Sequence, residues 1–135
     1  MRYFILMAVL ISSLSAAALN WSSDYEKALA DAKREKKEIY LFLGSEYCKY
    51  CEKFKDEVLV KDEVLKRLSS SYILLYLSRD IDDIPAGLEA KPVPRHYFLD
   101  SSGKVIYTTI GGRSVEGFNE LLDEVKDIKE IKGKK

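Results

Sequence analysis

The stretch "IYLFLGSEYCKYCEKF", residues 39–54, passes from five consecutive apolar side chains through a turn into a segment of helical spacing. Ile39 to Leu43 forms an unbroken apolar run, which suits a strand buried on both faces. Gly44-Ser45-Glu46-Tyr47 turns the chain. From Cys48 onward, Cys51, Phe54, Val58 and Leu59 fall on one side of a helix. A second unbroken run, Tyr72 to Leu77, supplies another buried strand. Strand, helix and strand within this span predict parallel neighbours joined by a right-handed crossover.

Working outward, Tyr25, Ala28, Leu29 and Ala32 share a helical face, and Ser23 with Glu26 has the spacing of a capping box. The helix is therefore predicted to start at Ser23. Asp62 is predicted to cap a further turn through Val64, Leu65 and Leu68. The acidic connection Arg79 to Gly87 lacks the spacing and closing glutamate of an EF-hand, so it reads as a solvated loop. Val93-Pro94, His96 to Leu99, a turn at Asp100 to Gly103, and Val105 to Ile110 read as a hairpin. Ser114 caps a last helix with Val115, Phe118, Leu121, Leu122, Val125 and Ile128 on one face. The fold class is thus α/β, with a mixed central sheet of about four to five strands and helices on both faces.

The chain has 135 residues, enough for one domain with a proper core. Its 22 basic and 22 acidic side chains balance, so no nucleic-acid partner is expected. The start differs from the rest: Arg2, an apolar run from Phe4, and small residues up to Ala18 read as a secretory signal over residues 1–18. Residues 19–135 are then the exported domain, in the periplasm or otherwise outside the cytosol. The apolar run is shorter than the ~20 residues a bilayer needs, so no stable membrane span is expected after cleavage.

Cys48 and Cys51 are the only cysteines. As a structural staple they would close almost no loop of the unfolded chain, and so add little stability. As a closed zinc site they lack partners, because His96 is the only histidine. The remaining reading is redox chemistry. A cysteine at a helix start meets unpaired N–H groups and the positive end of the helix dipole, which can bring a thiol from ~8.5 into the 3.5–7.5 range. Cys48 would attack a partner's disulfide, and Cys51, one turn on and more buried, would resolve the mixed disulfide. No metal and no cofactor beyond this redox-active disulfide is expected.

Trp21, "REKKEIYLFLG" (34–44), "EYCKYCEKF" (46–54) and "PVPRHYFLDSSGKVI" (92–106), in this order and spacing, resemble exported members of the thioredoxin superfamily. The resemblance spans about residues 21–128. It implies a thioredoxin-like fold, Cys48 as nucleophile, Cys51 as resolving thiol, and a cis Val93-Pro94 bond facing the disulfide, with the Val93 backbone open to an added substrate strand. It also implies a periplasmic thiol-disulfide oxidoreductase acting on protein thiols and disulfides. A reductant or isomerase-like carrier fed by a membrane electron donor fits better than a primary oxidant, and apocytochrome c thiols are a narrower substrate class. The alternative is a non-catalytic thioredoxin-fold binding module whose cysteines are inert or hold a metal.

Two departures from the family pattern stand out. Phe42 occupies the position six residues before the nucleophile where thioredoxins carry a buried aspartate, and Tyr72 to Leu77 lacks their lysine. Something else, or water, would then serve Cys51: Glu46 and Glu52 are nearby in sequence, and His96 is the candidate proton acceptor. Lys49-Tyr50 between the cysteines is unlike the Gly-Pro of thioredoxins and would tune the reduction potential. Tyr47, Lys49 and Tyr50 are the candidate substrate contacts beside Val93 and Pro94.

Overall fold

The computed structural model describes residues 21–135. The expected signal segment 1–18 lies outside them. The apolar run becomes β1 (Glu38–Gly44), preceded by α1 (Tyr25–Glu35) and followed by α2 (Lys49–Phe54), which continues as a π turn over Lys55–Leu59. Then come α3 (Asp62–Ser71), β2 (Tyr72–Ser78), β3 (Arg95–Leu99), β4 (Val105–Ile110) and α4 (Val115–Gly133).

The sheet order is β2-β1-β3-β4. β1 and β2 run parallel with Phe42 opposite Tyr76, while β3 lies antiparallel to both β1 and β4. A single parallel bridge, Ser22 to Leu75, extends the β2 edge. The four-stranded mixed sheet matches the lower end of the expected range.

β1 is buried on both faces because its side chains divide between two cores. Ile39, Leu41 and Leu43 pack with Leu75, Leu77, Tyr97 and Leu99 under Ala28 and Ala32 of α1. Tyr40 and Phe42 point the other way, into a cluster with Phe54, Phe98, Phe118 and Val125. Helices therefore cover both faces, as the alternating partners of a central parallel strand require.

Two helix starts differ from expectation. α1 is capped by Asp24, whose carboxylate accepts the Lys27 N–H at 3.0 Å, and not by Ser23. The backbone of Ser22 is tied to β2 through Leu74 and Tyr76, which delays the helix until after Asp24. Asp62 is the first residue inside α3 rather than its cap; Lys61 holds that place without a side-chain hydrogen bond, and Asp62 and Glu63 favour the helix through its dipole. Ser114 caps α4 as expected, accepting the Gly117 N–H at 3.1 Å. In the β3–β4 turn Gly103 has a φ of +89°, and a Cβ there would strike the Tyr25 hydroxyl.

Candidate active site

β1 and β2 end side by side, Gly44 opposite Ser78, and the loops leaving them build the site. Ser45 is buried and its hydroxyl donates to the Asp80 carboxylate, which also accepts the Glu46 N–H at 2.8 Å. These hydrogen bonds, first from Ser45 and then from Glu46, hold the Asp80 carboxyl below its ordinary range. Asp82 accepts the Ser78 N–H at 2.8 Å. The acidic connection is therefore not simply solvated, since two of its aspartates satisfy backbone donors around the cysteine loop.

That loop delivers Cys48 to the N-cap of α2 in extended conformation, φ −115° and ψ 104°. The Cys48 sulfur accepts the Cys51 N–H at 3.1 Å, in the place an N-cap hydroxyl would take. Cys48 is half-buried, Cys51 is fully buried, and the two form a disulfide with their Cα atoms 5.2 Å apart. Tyr47 is 92% and Tyr50 72% exposed, so neither covers the helix against the sheet. Lys49 is exposed as well.

Val93-Pro94 is a cis peptide, as is Lys91-Pro92. Pro94 is buried and its carbonyl accepts the Gly111 N–H at 2.9 Å, whereas the N–H and C=O of Val93 make no hydrogen bond among the described residues. Val93 and Pro94 line a groove of about 600 Å³ with Tyr50, Phe54, Gly111 and Arg113. The groove thus joins three of the five sequence-derived substrate contacts, Val93, Pro94 and Tyr50, while Tyr47 and Lys49 do not line it.

His96 lies in the core and makes no hydrogen bond to either cysteine. Its Nε2 lies 2.8 Å from the Gly111 carbonyl, which can only accept, so that nitrogen carries the proton. Nδ1 then accepts from the Tyr40 hydroxyl at 2.7 Å. The ring is packed edge-on against Phe54, with Phe42 and Phe118 beside it. Burial lowers its pKa to about 4. With both nitrogens engaged, His96 has no free lone pair to offer Cys51. Tyr40 and the Gly111 carbonyl are the partners that sequence reasoning missed. Nothing in the apolar run around Tyr40 marks its hydroxyl as paired.

A buried strand delivering a cysteine to a helix cap, with a second cysteine sealed one turn behind and a proline-edged groove alongside, defines the class of α/β proteins built around a Cys-x-x-Cys disulfide. The family model described as thioredoxin-like matches residues 20–101, more than half of the chain, and the chain belongs to that family. No curated protein matches the chain. Among solved structures, it is similar to a thioredoxin from Thermus thermophilus, at 23% identity and TM-score 0.59 over 77% of this chain and 82% of that one. The DsbH oxidoreductase matches at 22% and 0.56, covering 86% and 88%. The C-terminal domain of Neisseria meningitidis DsbD in its oxidised form matches at 17% and 0.61, covering 78% and 98%. At these identities the likeness shows the fold.

Proposed function

We propose that the protein is an exported thiol-disulfide oxidoreductase that exchanges disulfides with protein substrates through Cys48 and Cys51. The observation that carries this reading is the Cys51 N–H aimed at the Cys48 sulfur at 3.1 Å. In the reduced protein that donor, at the start of a helix, stabilises a Cys48 thiolate, which is the attacking species. Cys51 is fully buried. It therefore reacts with the neighbouring sulfur rather than with outside partners. The unpaired backbone of Val93 offers an edge for a substrate strand, exposed Tyr50 lines the same groove, and exposed Tyr47 and Lys49 are the further contacts proposed for that substrate.

The start of the sequence supports export to the periplasm through a signal over residues 1–18. Among the described residues, no helix is long and apolar enough to cross a membrane. The exported domain would draw electrons from a membrane donor and pass them to protein disulfides, with apocytochrome c as a narrower substrate class. Cys48→Ser is expected to abolish reduction of insulin disulfides, and Cys51→Ser to accumulate a mixed disulfide on gels run without reductant. A Cys51→Ser protein that traps no partner would overturn the exchange mechanism. Titration of the Cys48 thiol separates this reading from an inert module, whose thiol would stay near or above ~8.5.

A further inference from the structure

The resolving step poses a problem that the residues around His96 do not solve. Cys51 is fully buried, and burial disfavours its thiolate, yet it must ionise to attack the mixed disulfide at Cys48. The site offers one other route for the proton. Gly44, the last residue of β1, has no side chain, and a Cβ placed on it would lie 3.2 Å from the Tyr76 Oη and 3.6 Å from the Cys51 Cβ. The Tyr76 hydroxyl and the Cys51 Cβ thus border the same space beside Gly44, with no direct hydrogen bond between Tyr76 and Cys51 in the disulfide form. Tyr76 sits opposite Phe42 in the strand register, half-buried and stacked on its ring. The Lys55 ammonium lies 4.7 Å from the centroid of the Tyr76 ring, and its Nζ is 2.8 Å from Glu52 Oε1.

We propose that Tyr76, with Lys55 and Glu52, forms the proton path that serves Cys51, in the place where the family pattern has an aspartate and a lysine. The inference rests on the exchange function proposed above. When a partner is bound to Cys48 and Cys51 is a free thiol, the Cys51 S–H gives its proton toward the Tyr76 oxygen as the phenol passes its own proton outward to solvent beside the Lys55–Glu52 pair. The Cys51 sulfur forms a bond to the Cys48 sulfur, the bond from Cys48 to the partner breaks, and the partner leaves as a thiolate. Two cysteine sulfurs are oxidised and one partner disulfide is reduced, so electrons balance.

Lys55 supplies the positive charge that favours negative charge at Tyr76 or Cys51. The other ionisable groups acting on Tyr76 are Glu46 and Glu52, which oppose its ionisation, and burial is the largest cause of its raised pKa. Tyr76 therefore works as a neutral hydroxyl that relays a proton, not as a standing base. Gly44 is the residue that keeps the route open.

Reaction of the reduced protein with 5,5′-dithiobis(2-nitrobenzoate) tests this directly, because two thionitrobenzoate anions are released in turn. The early release reports attack by Cys48, and the later one reports resolution by Cys51. Tyr76→Phe, which keeps the ring, is expected to slow the later release on the order of tenfold near neutral pH, within the range of proton-transfer effects, and to move its pH midpoint upward. The early release should stay within about twofold. Lys55→Met should slow the later release as well, and Lys55→Arg should restore it. An unchanged later release in Tyr76→Phe, or an equal slowing of both releases, overturns the proton path. Absence of the early release in the wild-type protein would instead refute Cys48 as the nucleophile.

Discussion

Burying an imidazole between a phenol and a backbone carbonyl links stability to pH through one residue. His96 is neutral in the folded chain, with a pKa of about 4, against an ordinary value of 6.5. Between these values the unfolded chain binds a proton that the folded chain does not, so stability falls as pH drops through the window. The gap corresponds to about 3 kcal/mol if fully expressed. The carboxyls held low by hydrogen bonds and ion pairs, Asp31, Asp80 and Asp100, lose their contribution only below this window. Urea unfolding at about pH 7 and about pH 4.5 should therefore show a loss on the order of 2–3 kcal/mol. His96→Gln should remove most of that difference, and an identical pH dependence in the variant would exclude His96 as its source. At this scale the cysteines were legible because no other thiol competed for the role. The pairing of His96 was not, since Tyr40 lies 56 residues away in sequence and only the β1–β3 register brings it near.

At the scale of elements, the site depends on how the ends of β1 and β2 are tied together. Asp80 accepts from Ser45 and Glu46 while Arg79 N–H donates to the Gly44 carbonyl at 3.1 Å, so the β2 loop clamps the segment that presents Cys48. Asp80→Ala would leave the buried Ser45 hydroxyl and the Glu46 N–H without this acceptor. Hydrogen exchange at Glu46 should accelerate and disulfide exchange should slow, and unchanged exchange at Glu46 would remove Asp80 from this role. The strands, the hairpin and α4 were legible because each carries a continuous apolar run or an apolar helical face with a capping serine. The clamp was not legible, because aspartates that accept backbone N–H groups have the same composition as aspartates in water. The π turn at Lys55–Leu59 was hidden for a related reason: Val58 and Leu59 stay buried, so the apolar pattern continues through it. The sequence marks Gly103 only as part of a turn; its specific need lies in the positive φ and the nearby Tyr25 hydroxyl. Gly103→Ala is expected to destabilise by at least about 1 kcal/mol in thermal unfolding, since an alanine pays for the left-handed backbone as well as the clash.

For the whole molecule, β1 is the wall shared by two apolar clusters that otherwise meet different helices. Leu41 belongs to the α1 side, and its neighbours Tyr40 and Phe42 belong to the side that carries Phe54, Cys51 and Phe118. Neither cluster can lose β1 without exposing the other, so the two should melt as one unit despite sharing few side chains. Trp21, the only tryptophan, packs edge-on against Tyr40 with ring centroids 6.1 Å apart, and thus reports the cluster on the cysteine side. Leu41→Ala deletes a fully buried side chain on the opposite side and should cost about 2–5 kcal/mol. If the shared strand couples the clusters, tryptophan fluorescence and far-ultraviolet circular dichroism will shift to the same lower midpoint in this variant. Under the proposed exchange function, insulin reduction should be lost over the same denaturant range. A fluorescence midpoint that stays at the wild-type value while the dichroism midpoint falls would mean that the cysteine side holds together without the α1 side, and that its geometry is set locally by the loops and α2.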